Sequence, residues 1–297
     1  MKWFFLFISL FIYISSLSQT RCLQIHAENG AAVPYATLIV KKKNNVFTGD
    51  SAGSICSRFI SSIENGDTLL ISAIGYEELK TIYTGSDVFI LRQKSILLPE
   101  VMIINGEGEL ETWGTKRNPG PLGGFKCKHV FHEPLNSLGR IIYPDVNVRK
   151  AEIESVAFHD ETGKGIDLPV RLRIFLIGKD SLPTDDYLQE NIFLRTKGKG
   201  WIEADLKGKG IVIPKEGIAI AVELFADSDE YFYKERIKGA DGKKKEKRMY
   251  GFSLSRENDN GFLTLMKFSS RHRWIVERFD SRSCGNIVCR VKVKVWR

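Results

Sequence analysis

The sequence is poor in the residue types that most often mark chemistry. Its 297 residues hold five histidines, five cysteines and four methionines. No His-x-x-Glu or His-Glu-x-x-His pattern occurs, which removes the usual signature of a zinc peptidase. Five cysteines are too few, and odd in number, for a disulfide-built scaffold. Cys284 and Cys289, five apart around "GNIV", are the one pair close enough in sequence to suggest a small bridged loop, with opposed strand positions as the alternative. Long apolar runs are also missing beyond the first residues, so no transmembrane segment is expected in the mature chain.

Those first residues set the expected compartment. Met1-Lys2, the apolar stretch "WFFLFISLFIYI" and the polar run "SSLSQT" follow the order of a secretory signal peptide. Residues 1–18 are read as that signal, with cleavage between Ser18 and Gln19 and a periplasmic, outer-membrane-associated or secreted product. Cys22 is not read as a lipid-anchored residue, because "QTR" before it puts bulky and charged residues where a lipoprotein signal has small ones.

Strands dominate what remains. In "PVRLRIFLIG", Val170, Leu172, Ile174 and Leu176 share one face and Arg171 and Arg173 the other, the pattern of a half-buried strand. "GIAIAVELF" repeats it with Ile218, Ile220, Val222 and Leu224. The terminal "VKVKVW" sets Val291, Val293 and Val295 against Lys292 and Lys294. Turn signals such as "ENGD", "YTGSD" and "ENDNG" separate the strands at spacings too short for crossover helices. The expected class is all-β, in two domains. Residues 19–93 form the first and 125–297 the second. Residues 94–124, with their Pro- and Gly-rich "ETWGTKRNPGPLGG", form a linker with a possible exit strand.

The net charge of +8 would suggest nucleic acid in a cytosolic protein, but export argues against that partner. Much of the charge lies in "KGADGKKKEKR", residues 238–248. This run reads as a solvated hairpin loop or, more sharply, as a patch for an anionic glycan, a lipid headgroup or an acidic partner.

The first domain resembles a known family. "NGAAVPYATLIVKKKNNVFTGDSAGSICSRF" followed by "NGDTLLISAIGYEELKTIY" is similar to the carboxypeptidase-regulatory-like, or peptidase-associated, domain. The elements that carry the likeness are Val33-Pro34-Tyr35-Ala36 entering a strand, a turn from Gly49 to Gly53, a strand closing on Ile74-Gly75-Tyr76, and the exit strand "LLPEVMI". Ile55 departs from it, where the family more often has Phe. The resemblance spans about residues 20 to 105 and implies a seven-stranded, transthyretin-like Greek-key β-sandwich. It implies that "TLLISAI" is a central strand buried on both faces and that Gly75 and Tyr76 form a structural corner. It further implies a non-catalytic accessory module of the kind found beside peptidase domains or at the N-terminus of outer-membrane receptors; no cofactor is expected, and the expected partner is an envelope protein or a glycan. The second half resembles jelly-roll-like β-sandwich domains of exported proteins, a likeness that brings no activity with it.

Each candidate for chemistry in the sequence also has a plainer structural role. "GDSAG", residues 49–53, matches G-x-S-x-G, but a nucleophile elbow needs a helix after the serine, and "SICSRF" reads as a strand; Ser51 is therefore expected in a polar turn. "HVFHE" supplies His129, His132 and Glu133, and "HDE" adds His159 and Asp160, a metal set only if the two segments meet. The acidic turns "ADSDE" and "RENDNG" suit turn chemistry better than calcium. Trp201, Tyr231 and Tyr233 are the aromatic candidates for a glycan platform, with packing as the plainer role of each.

Overall fold

The computed structural model describes residues 21–43, 45–57, 60–95, 106–116, 127–131, 135–162, 167–196, 198–224, 232–238, 244–250, 252–257, 264–267, 273–277 and 286–297. The expected signal peptide, the exit strand "LLPEVMI", and His132, Glu133, Tyr231 and Cys284 lie outside them. The chain divides into two units, Met1–Lys94 and Ser95–Arg297.

In the first unit the strands are β1 (Cys22–Ala27), β2 (Thr37–Val40), β3 (Asn45–Thr48), β4 (Ser54–Cys56), β5 (Thr68–Ser72), β6 (Leu79–Ile82) and β7 (Val88–Leu91). They form two sheets, of order β4-β1-β7 and β3-β2-β5-β6. Only β1 and β7 run parallel; the other pairs are antiparallel. The core is continuous, with Leu23 and Ile25 from β1, Leu38 and Val40 from β2, and Leu69 and Ile71 from β5. Strand β5 lies between β2 and β6, and Leu69, Leu70 and Ile71 are all buried. Its apolar run is unbroken because both of its faces are covered.

Two tight turns hold this unit. After β5 the Tyr76 amide donates to the Ala73 carbonyl, and Gly75 takes a φ of 81° at the third position, where a type II turn demands a left-handed backbone. Tyr76 packs against the core. In the Gly49–Gly53 turn, Asp50 Oδ1 accepts from the amides of Ala52 (2.8 Å) and Ser54 (2.9 Å). Gly53 has a φ of 74°, and a Cβ there would stand 2.7 Å from the Ile25 carbonyl oxygen. A disulfide joins Cys22 to Cys56, which are directly paired on β1 and β4 with Cα atoms 4.3 Å apart.

The second unit contains β8 (Glu109–Gly114), β9 (Cys127–Phe131), β10 (Ser137–Ile142), β11 (Lys150–Asp160), β12 (Pro169–Ile177), β13 (Pro183–Asp186), β14 (Ile192–Arg195) and β15 (Gly200–Asp205). It continues with β16 (Ile218–Glu223), β17 (Phe232–Lys238), β18 (Lys244–Tyr250), β19 (Phe252–Glu257), β20 (Thr264–Lys267), β21 (Trp274–Glu277), β22 (Asn286–Ile287) and β23 (Cys289–Trp296). One seven-stranded sheet runs β13-β12-β16-β10-β20-β21, with β14 also on β12. The other runs β22-β19-β11-β23-β8, with β15 on β11 and β9 on β19. Among the described residues, strands β17 and β18 pair with each other and with no other strand. The protein is thus all-β, built as sandwiches.

Three expectations change here. Strand β8 arises inside the segment 94–124 that reads as a linker, and it pairs along β23. Cys289 is a free, buried thiol, so the suggested bridge to Cys284 is replaced by Cys22–Cys56. Residue spacing favours short loops, whereas strand pairing brings Cys22 and Cys56 together across 34 residues. Finally, β12 and β16 are covered on both faces: Arg171 is buried, as are Ala219, Ala221 and Glu223.

Candidate functional site

The richest polar constellation within reach of the surface lies on the sheet of β11, β15, β19 and β23. Strand pairing sets His159 of β11 opposite Trp201 of β15, and Asp160 opposite Leu254 of β19. His159 Nδ1 is 2.7 Å from Ser255 Oγ, and Ser255 Oγ lies 3.1 Å from Glu161 Oε1. Lys199 Nζ approaches Glu161 Oε2 at 3.7 Å. The Trp201 ring meets His159 edge-on with centroids 5.3 Å apart. The Arg290 guanidinium stacks over Trp201 at 4.1 Å from the ring centre.

Serine, histidine and glutamate in one cluster invite comparison with a catalytic triad, but the polarity of the bonds is reversed. A carboxylate only accepts, so the Ser255 hydroxyl donates to Glu161 and receives the Nδ1 hydrogen of His159. A nucleophilic serine must instead give its proton to the imidazole, with the acid on the opposite ring nitrogen. Ser255 is also fully buried. Burial pushes the His159 pKa down, against the pull of Glu161 and Asp160, which favours neutral imidazole. The cluster orients side chains and ties β11 to β19.

Asp160 has a similar holding role. Its carboxylate accepts the Thr162 amide (2.7 Å) and the Gly198 amide (3.1 Å), fastening the approach to β15. The two histidine segments do meet, since β9 and β11 both flank β19. His129 is in register with Leu254 and hence with Asp160, one position out of step with His159. Among the described residues no group of three His, Cys, Asp or Glu side chains could hold a metal ion.

Two further charge clusters were not legible as sites. In the sheet of β10, β12, β13 and β16, Arg171 and Arg173 both pair with Glu223, and Arg173 also pairs with Asp186. Ser137 Oγ reaches Glu223 at 3.3 Å and Arg171 reaches Asn191 at 3.1 Å. Burial pushes the Glu223 carboxyl up, but Arg171 and Arg173 overcome this and hold it at about 2. Arg140, fully buried, meets Glu257 at 3.0 Å and Thr115 at 3.2 Å. Thr115 Oγ1 also donates to Glu257 and accepts the Cys289 amide. Beside this group the buried Cys289 thiol is pushed up to about 12, and is inert as a nucleophile. The available signal was Glu223 itself, an acid closing an apolar strand, with arginines at alternate positions of "RLR".

Of the other sequence candidates, Ser51 sits in an exposed turn followed by β4 rather than by a helix. Gly49, Gly53, Gly75 and Tyr76 stand at the turns described above. Trp201 is partly buried, with Arg290 on one face of its ring. Tyr233 falls on β17, paired with Met249, and Tyr231 is outside the described residues. No helix among the described residues is long and apolar enough to cross a membrane.

No protein-family model matches the chain. No curated protein matches it either. Among solved structures it is similar to the "Structure of infectious bursal disease virus Gx strain", at 11% identity over 88% of this chain and 60% of that one, with a TM-score of 0.17. No fold relationship follows from a score that low.

Proposed function

We propose that this chain is a non-enzymatic, exported accessory module of the bacterial cell envelope, whose first sandwich is a carboxypeptidase-regulatory-like domain. The observation that carries the reading is the Cys22–Cys56 disulfide across β1 and β4, because such bridges persist in oxidising compartments and are rare in reducing ones. The signal-like N-terminus agrees with it. So does the commitment of Cys22 to a bridge, which a lipid-modified cysteine could not make. The family likeness is supported by the Gly49–Gly53 turn and the Gly75–Tyr76 corner, both of which serve the fold.

The test is fractionation of the producing cells, with crosslinking in living cells and recovery of the tagged chain. The reading predicts a processed, disulfide-bonded product in the envelope or medium, crosslinked to an envelope component. A reduced, unprocessed product in the cytosol would overturn it.

A further inference from the structure

The Cys22–Cys56 bridge lies on the outside of the first sandwich. Successive residues of a strand fall on opposite faces, and Leu23 and Ile25 of β1 and Ile55 of β4 belong to the buried core. Cys22 and Cys56 therefore stand on the outer face. They share it with the next outward rung, where Ser54 Oγ reaches Gln24 Oε1 at 3.0 Å. Cys56 is exposed and Cys22 half-buried.

Position in the sheet then decides which sulfur can be reached. Strand β4 is the edge of the order β4-β1-β7, with no strand beyond it among the described residues, whereas β1 has a neighbour on each side. A thiolate attacks a disulfide in line with the S–S bond, from the side away from the leaving sulfur. For Cys56 that side is the open edge of the sheet. For Cys22 it is the side of β7, where the Arg21–Asp87 ion pair joins the starts of the two strands.

Opening the bridge has a bounded effect on the fold. Strand β4 is three residues long, its other end is fastened by the Gly49–Gly53 turn, and Ile55 sits in the core. The freed groups are the Cys56 end of β4 and the first residue of β1.

We propose that Cys22–Cys56 is a thiol–disulfide exchange site, entered at Cys56 by a dithiol partner. One thiolate of the dithiol bonds to Cys56 Sγ as the Cys22–Cys56 bond breaks, and Cys22 leaves as a thiolate that takes up a proton. The partner's second thiol, deprotonated, then attacks its own sulfur bound to Cys56, forming the partner's disulfide and releasing Cys56. Two electrons pass from the dithiol to the bridge, and the reverse sequence closes it. The site goes beyond the envelope role and does not depend on it.

The test is reduction of the folded full chain by dithiothreitol without denaturant, with free thiols alkylated at intervals and located by peptide mapping. Direct attack predicts a rate about ten-fold faster for a ten-fold rise in dithiothreitol. It also predicts a rise of about ten-fold per pH unit below the reductant's own pKa, because the thiolate is the nucleophile. A second measurement uses glutathione, whose single thiol stops at the mixed disulfide when iodoacetamide traps the thiol released. Glutathione is expected on Cys56 and the alkyl group on Cys22, in about ten-fold excess over the reverse arrangement. A rate that levels off as dithiothreitol rises would overturn the proposal, since the bridge would then be reached only through unfolding. A bridge that stays closed in the folded chain would overturn it as well. Equal glutathione on the two cysteines would sink entry at Cys56, and with it the role given to the edge of β4.

Discussion

The first sandwich buries two polar side chains among its described residues, Thr37 and Asp67, while the second buries fourteen, including Arg140, Arg171, His159 and Glu223. The two units therefore solve the same problem differently. The first joins an apolar core to turns whose backbone needs are met locally, and staples the ends of β1 and β4 covalently. The second ties distant strands with ion pairs that span 52 residues for Arg171–Glu223 and 117 for Arg140–Glu257. A buried ion pair adds little net stability over an apolar replacement but is costly to break from one side. The first unit should thus be sensitive to reductant and to glycine replacement, and the second to single charge deletions and to acid.

The largest expected effect tests the second half of that contrast. Glu223→Gln leaves Arg171 without its carboxylate and Arg173 with Asp186 alone, and should cost the second sandwich about 3–5 kcal/mol. Tryptophan fluorescence in a denaturant titration reports this cleanly, since Trp113, Trp201, Trp274 and Trp296 all belong to the second unit and the first has no tryptophan among its described residues. A shift below about 1 kcal/mol would mean that the cluster is not held as described. The matching test on the first sandwich is Cys22→Ser with Cys56→Ser. Closing a loop of 34 residues is worth about 4 kcal/mol in the chain-entropy account. Hydrogen exchange should speed up across β1 and β4 and leave the second sandwich unchanged; equal loosening of both units would erase the comparison.

What was legible in the sequence divides along the same line. Alternation in "VKVKVW" identified β23 and its two faces, and Val291, Val293 and Val295 are buried while Lys292 is exposed. The family resemblance at "TLLISAI" and at the glycines 53 and 75 implied a covered strand and two special turns, and the strand is buried between β2 and β6 while both glycines take positive φ. The charge clusters did not announce themselves. Arg171 looks solvent-facing by period, and only pairing of β12 with β16 reveals Glu223 directly across from it. The same holds for Ser255, which reaches His159 because β19 joins β11 after a separation of 96 residues.

Acid should act on the second sandwich first. His159 has its pKa depressed by burial, so the unfolded chain binds its proton more readily and stability is lost as pH falls below 6.5. Glu223 is likewise depressed, from 4.5 to about 2; its contribution of about 3 kcal/mol is present above pH 4.5 and disappears as pH falls through about 2. In the first sandwich Asp67, held down by the Glu64 amide and by Lys43, begins to lose its contribution only below pH 3.8. Tryptophan-detected stability should therefore decline in two stages on acidification. His159→Gln should remove the earlier stage and leave the later one. A single stage in the wild-type chain would show that His159 carries no linkage. Smaller again is Gly53→Ala, expected to cost the first sandwich about 1–3 kcal/mol through its positive φ and the close Ile25 carbonyl, with the second unit's transition unmoved.

The smallest effect makes the finest distinction, inside the five residues "GDSAG". Asp50 accepts two backbone amides, from Ala52 and Ser54, and these anchor the entry to β4. Asp50→Ala should therefore destabilise the first sandwich by about 1–2 kcal/mol. Ser51, one residue on, is exposed in the turn, and Ser51→Ala should stay within about 0.5 kcal/mol of wild type. The pair separates a turn from a nucleophile, because the two readings rank the residues in opposite order. If the serine were chemical, its loss would abolish a hydrolytic activity while the fold stayed intact, and reactivity toward a fluorophosphonate probe would vanish with it. If the motif is a turn, the aspartate governs the unfolding midpoint and the serine governs nothing measurable. An ester hydrolysis that depends on Ser51 would overturn the turn reading and the non-enzymatic role with it.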